Sequence, residues 1–117
     1  MVTEQTPLVK TAVNGNVFEI TLARPEKRNA MNLVLMQQLE QAIDEAEKYH
    51  LDEIRAVIVR GEGSGFSAGI DLLSFTEMPE LFGDQWQKNL FPMTATYQRI
   101  LTKFERSKFP TILVGHN

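Results

Sequence analysis

The sequence contains no cysteine. That absence removes disulfides, thiolate metal ligands and cysteine nucleophiles together, and it fits a reducing compartment. Positive charge is not in surplus either, because 12 lysines and arginines stand against 15 acids for a net charge of −3. Without a basic stripe there is no electrostatic footprint for a nucleic acid. No apolar run approaches the ~20 residues that a bilayer-crossing helix needs. Met1 to Lys10 lacks the basic start and apolar core of a secretory signal. Internal repeats, low-complexity tracts and interdomain linkers are missing as well. These absences point to a soluble, cytoplasmic protein with neither nucleic-acid nor membrane partners. At 117 residues the chain is long enough for one ordinary domain and short for two.

What is present is patterned. Leu8 to Val13 and Val17 to Ala23 flank Asn14-Gly15-Asn16, and Asn-Gly signals a hairpin because it tolerates positive φ. Phe18, Ile20 and Leu22 alternate with Glu19 and Thr21, so one strand face is expected to be buried. Pro25 ends that strand, and Asn32 is a good helix N-cap. From Leu33 to about Tyr49, Leu35, Met36, Leu39, Ile43 and Ala46 recur at helical spacing. Glu40, Asp44, Glu45 and Glu47 fall mainly on the other side and read as a solvated face. Arg55 to Arg60 is a short β-branched run and reads as a buried strand. Between Leu72 and Asn89 the apolar set Phe75, Met78, Leu81, Phe82 and Trp86 is irregular, and Pro79 and Gly83 argue against one continuous helix. That stretch reads either as a wall of a binding site or as a broken helix. Met93, Tyr97, Ile100, Leu101 and Phe104 restore a helical stripe, and Thr111 to Val114 begins another strand. The rhythm is that of parallel β–α units behind a hairpin. The last strand lacks the helical cover that a parallel sheet needs, so the pattern predicts an incomplete α/β domain.

The chemistry concentrates after the strand at Arg55 to Arg60. Gly61-Glu62-Gly63-Ser64-Gly65 fails as a dinucleotide loop because Phe66 stands where the third glycine belongs. It fails as a P-loop because no Gly-Lys-Ser/Thr follows. Its continuation, Phe66-Ser67-Ala68-Gly69-Ile70-Asp71, is more telling. Phe66 can plug the loop into the core, Ala68 and Gly69 leave the backbone accessible, and Asp71 can cap a following helix or anchor the loop. Small residues after a strand let backbone N–H groups turn towards a bound carbonyl, and two such donors make an oxyanion hole.

Together with Arg24-Pro25-Glu26-Lys27-Arg28-Asn29-Ala30 upstream and Phe104-Glu105-Arg106-Ser107-Lys108-Phe109-Pro110-Thr111-Ile112 downstream, this segment resembles the crotonase family of enoyl-CoA hydratases and isomerases. The resemblance implies a crotonase-like ββα spiral of which residues 1–117 are the N-terminal part, the C-terminal remainder being absent. It implies hydration or double-bond isomerisation of an acyl-CoA thioester through an oxyanion-stabilised enolate. Ala68 would donate one backbone N–H to the thioester oxygen. The second donor and the acid–base carboxylates would lie beyond Asn117. Lys27, Arg28, Ala30, Phe66, Ala68, Gly69, Ile70 and Asp71 would surround the substrate, with Lys27 and Arg28 carrying charge suited to its phosphates. From the residues alone, those two cations read first as a solvated turn, and the resemblance reverses that reading. No metal and no separate cofactor is implied, coenzyme A being part of the substrate. Intact members form trimers or hexamers. Ser-Ala-Gly-Ile-Asp-Leu and the later Tyr97-Gln98 are most similar to the dienoyl-CoA isomerase-like branch.

Two rival readings compete. Ser67 could be a nucleophile with His50 or His116 as base, but the Gly-x-Ser-x-Gly elbow is missing, and His50 reads as a cap for helix carbonyls. Alternatively the chain is a truncated, catalytically inactive fragment that binds coenzyme A or contacts another subunit.

Overall fold

A computed structural model describes residues 7–71 and 91–116. The readings of Leu72 to Asn89, and the place of the Met93 side chain in the helical stripe, lie outside the described residues. Strands β1 (Val9–Asn14) and β2 (Val17–Leu22) form the expected hairpin, with Asn14 opposite Val17. Gly15, at φ 63°, supplies the left-handed residue of the two-residue loop, the position where glycine matches the twist of the flanking strands. Asn16 ties this turn to the next strand. Its carbonyl accepts the Arg55 N–H at 2.7 Å and its side-chain amide donates to the Glu53 carbonyl at 3.1 Å.

β3 (Ala56–Gly61) lies parallel to β2, and β4 (Thr111–Leu113) parallel to β3, giving the order β1-β2-β3-β4. A parallel pair needs a crossover. Helix α1 (Leu33–Ala46) provides it between β2 and β3, and α2 (Phe91–Glu105) leads into β4. The Asn32 side chain accepts the Leu35 N–H at 2.8 Å, capping α1 as its sequence predicts. α1 stops at Ala46 and a turn follows, so the helix is shorter than its apolar spacing suggests.

Leu35, Met36, Leu39, Ala42, Ile43 and Ala46 of α1 pack on Phe18, Ile20, Leu22, Val57 and Val59 of the sheet. Ile100 and Phe109 close the same core, with Tyr97 and Phe104 packed against it. Leu101 departs from the predicted stripe and is about half exposed. The acids of α1 are also more engaged than a solvated face would be. Glu40 pairs with Arg99 and with Lys103 (2.8 Å), and Asp44 with Lys103 (3.0 Å), bracing α1 against α2. The hydrogen bond from Lys103 holds the Glu40 carboxyl below its usual range, against the opposing effect of desolvation.

Among the described residues, the large apolar side chains of the sheet are most exposed at β4, where Leu113 is 63% exposed. Beside it opens an apolar pocket of about 350 Å³ lined by Leu22, Val59, Phe66, Leu101, Phe104 and Leu113.

Candidate active site

Leu22 and Gly61 are paired at the carboxyl ends of the parallel strands β2 and β3. The loops that leave from there, 23–32 and 62–71, therefore start side by side. Crevices outside the carboxyl ends of parallel strands are the usual ligand sites of open α/β sheets. The topology thus joins the two motifs that stand about forty residues apart in the sequence.

The first loop makes a 3-10 turn at Pro25–Lys27 and then takes two left-handed residues in succession, Arg28 at φ 53° and Asn29 at φ 55°. Each such non-glycine residue costs roughly 1–2 kcal/mol, which the interactions of Asn29 offset. This side chain is wholly buried. Its Oδ1 accepts the Arg24 N–H at 2.8 Å, and its Nδ2 donates to the carbonyls of Glu62 (2.9 Å), Phe66 (3.0 Å) and Gly65 (3.3 Å). Its own N–H donates to the Arg24 carbonyl at 2.8 Å, and its carbonyl accepts the Ser67 hydroxyl at 2.8 Å. Every polar group of Asn29 is used, as burial demands. Gly61 makes room for this junction, because a Cβ there would lie 2.4 Å from the Phe66 oxygen and 2.7 Å from Asn29 Nδ2.

The second loop is fixed in turn. Phe66 packs against the core as expected. The Ser67 hydroxyl, besides donating to Asn29, accepts the Gly69 N–H at 3.0 Å. Ser67 is therefore a structural link, with its proton committed to a carbonyl. The imidazole of His116 sits 3.2 Å from the Gly63 carbonyl. His50 joins the turn after α1 through its backbone, accepting the Ile54 N–H at 3.0 Å, and its ring makes no hydrogen bond among the described residues. No serine–histidine pair is assembled there.

The backbone of the second loop sorts its own donors. Ala68 N–H donates to the Arg28 carbonyl at 2.8 Å. Met31 forms a parallel bridge with Ile70, in which Met31 N–H donates to the Gly69 carbonyl (2.7 Å) and Asp71 N–H to the Met31 carbonyl (3.1 Å). Successive peptide groups of an extended segment point to opposite sides, so the Ile70 N–H is directed away from Met31. It has no acceptor among the described residues, and Ile70 itself is half exposed.

Asp71 acts as an anchor. Its carboxylate pairs with Arg24 at 2.6 Å, the two side chains being only 10% and 14% exposed, and the same guanidinium nitrogen donates to the Ala30 carbonyl at 2.9 Å. Tyr97 of α2 donates its hydroxyl to the Met31 carbonyl at 2.9 Å. Burial, and secondarily the charge of Asp71, raise the Tyr97 phenol above its usual range.

All eight residues singled out in the sequence thus gather where the loops meet. Arg28, Ser64, Phe66, Ser67, Ala68 and His116 line a groove of about 340 Å³, and the Lys27 and Arg28 side chains are exposed beside it. The sequence pointed to no role at the site for Arg24, Asn29, Met31 or Tyr97, which organise the junction. The asparagine following an arginine in a tight Pro-initiated loop was the available signal, since asparagine tolerates the left-handed region. Among the described residues, no group of three or more His, Asp or Glu is placed to hold a metal ion.

A profile of the enoyl-CoA hydratase/isomerase family matches residues 12–111. The chain belongs to this family. It is 33% identical over 110 residues to a mitochondrial Δ(3,5)-Δ(2,4)-dienoyl-CoA isomerase of Mus musculus, an alignment covering 91% of this chain and 33% of that protein. An enoyl-CoA hydratase structure from Thermoplasma volcanium superposes with a TM-score of 0.77 at 28% identity, covering 96% of this chain and 41% of the other. A Legionella pneumophila crotonase structure shares the fold with a TM-score of 0.80 at 22% identity, with 97% and 41% coverage. The α/β crotonase fold expected from the sequence is therefore observed. The chain spans about a third of the length of the curated relatives it matches. Because the mouse relative is mitochondrial by name, a cytoplasmic compartment does not follow from family membership. No described helix is long and apolar enough to cross a membrane.

Proposed function

We propose that the junction of the two loops binds an acyl-CoA thioester and that the Ile70 N–H, in place of that of Ala68, donates to its carbonyl oxygen. One observation carries this reading. Ala68 already donates to the Arg28 carbonyl at 2.8 Å, whereas the Ile70 N–H has no acceptor among the described residues. When a proton leaves or joins the carbon beside a thioester carbonyl, negative charge collects on that oxygen. A fixed N–H dipole then lowers the barrier for hydrating or shifting the neighbouring double bond. Lys27 and Arg28 suit the phosphates of coenzyme A, while Ala30, Phe66 and Gly69 shape the path to the thioester. Asp71, paired with Arg24, holds the loop and does not move the proton. The second donor and the proton-moving carboxylate are assigned to no residue of this chain, which spans a third of its relatives. Assembly into trimers or hexamers belongs to the same proposal, and sedimentation velocity tests it.

The experiment compares crotonyl-CoA and dienoyl-CoA turnover by the 117-residue chain and by a polypeptide of the relatives' length carrying it. The chain alone is expected to show none. In the longer polypeptide Ile70→Pro, which deletes the N–H, should lower kcat by about 10²–10³-fold with near-ultraviolet circular dichroism unchanged. Wild-type turnover by Ile70→Pro would refute the assignment. A second reading, an inactive fragment that binds coenzyme A or another subunit, is favoured by the apolar pocket beside β4. Binding of coenzyme A to the 117-residue chain without turnover in either polypeptide would select it.

A further inference from the structure

We infer that Tyr97 is a positioning residue for the thioester site, setting the Ile70 N–H through the Met31 carbonyl. The inference rests on the proposed role of Ile70. Tyr97 lies on α2, 66 positions from Met31 in the sequence, and its hydroxyl donates to the Met31 carbonyl at 2.9 Å. That carbonyl is shared, because it also accepts the Asp71 N–H at 3.1 Å. The Met31 N–H donates in the opposite sense to the Gly69 carbonyl at 2.7 Å. The peptide groups on both sides of Ile70 are therefore clamped to one residue, and among the described residues Tyr97 is the side chain that holds that residue from outside the two loops.

The geometry makes the coupling directional. A carbonyl with two lone pairs can accept two donors; if one is removed, the other alone fixes its orientation. Gly69, at φ 93°, gives the segment a pivot immediately before Ile70, so a rotation of the Met31 peptide is passed on to the Ile70 N–H. The Tyr97 ring packs against the core, which gives the hydroxyl a fixed origin in the helix layer. Arg24 and Asp71 fix the same segment from the side of the first loop. Tyr97 reaches the proposed donor only through Met31, and its effect is on where the donor points. Small misplacements of a donor or substrate cost far more in rate than in affinity.

The test uses Tyr97→Phe, which keeps the ring in the core and deletes only the hydroxyl. Two readouts are combined: hydrogen–deuterium exchange of the Asp71 amide in the 117-residue chain, and kcat and KM in the polypeptide of the relatives' length. The Asp71 amide is expected to exchange about fivefold to tenfold faster, the equivalent of one net hydrogen bond. The kcat is expected to fall by about tenfold with KM unchanged. Exchange unchanged within about twofold would overturn the brace whatever the kinetics show. Faster exchange with kcat unchanged would overturn the positioning role. If the wild-type polypeptide turns over no thioester while Tyr97→Phe still speeds exchange, the proposed function fails and the positioning role fails with it, but the brace stands. The two failures are thereby separated.

Discussion

The molecule holds two polar networks of opposite character. Between α1 and α2, Glu40, Asp44, Arg99 and Lys103 form ion pairs whose basic members are one-third to one-half exposed. Where the two loops meet, Asn29, Arg24 and Asp71 make their bonds almost entirely out of water. Exposed pairs exchange water for each other at little net gain, with a median of about 0–1 kcal/mol. Buried polar groups gain little when satisfied but cost about 1–3 kcal/mol each when orphaned. The first network supports packing that the apolar stripe of α1 already determines. The second decides the shape of the site.

Substitutions can break this contrast, and the largest effect belongs to Asn29. Asn29→Ala strands the Arg24 N–H and the carbonyls of Glu62 and Phe66, and it puts a residue with no local hydrogen bond at φ 55°. The expected loss is about 4 kcal/mol, read as a fall in the urea midpoint of the 117-residue chain. Against a typical total of roughly 5–15 kcal/mol, that loss would remove between about a quarter and most of the chain's stability. Next comes Arg24→Met, which leaves the Asp71 carboxylate buried without its guanidinium. About 3 kcal/mol is expected, the lower end for a broken buried pair because both side chains retain slight exposure. A loss below the size found for Glu40→Gln would undo the contrast.

Gly61→Ala should cost about 2 kcal/mol by overpacking, since its Cβ would meet backbone and a buried amide. The smallest effect is expected at the helix pair. Glu40→Gln should cost under about 1 kcal/mol, and less in high salt. Its pH dependence has a definite sign. The folded-state pKa of Glu40 is lowered, first by the Lys103 hydrogen bond, so its contribution is present above the ordinary carboxylate range. It is lost as pH falls through the depressed value. The stability difference between wild type and Glu40→Gln should therefore vanish in acid, and a difference that grew on acidification would contradict the assignment.

Much of the fold was legible because it follows from local pattern. The alternation of Phe18, Ile20 and Leu22, the Asn32 cap and the α1 stripe each dictate structure within a few residues. Leu101 was misread because helical spacing says which residues share a face, not how far a neighbouring strand covers it. At the site, the loop and its accessible small residues could be read, and the pairing of its N–H groups could not. Which of the N–H groups of Ala68, Gly69 and Ile70 is left over depends on partners at Arg28, Met31 and Ser67. Those pairings arise only when β2 and β3 place the two loops together. Tyr97 was hidden for the same reason, as an aromatic in a helical stripe reads as core and its hydroxyl finds Met31 only in three dimensions.

The central claim is that the buried junction spends the Ala68 N–H internally and leaves that of Ile70 for the substrate. A crystal structure of the protein with a bound acyl-CoA thioester tests this most directly. The account predicts the thioester oxygen about 2.7–3.1 Å from the Ile70 nitrogen, with Ala68 still donating to the Arg28 carbonyl. A thioester oxygen bound to the Ala68 nitrogen, with the Arg28 carbonyl released, would contradict it.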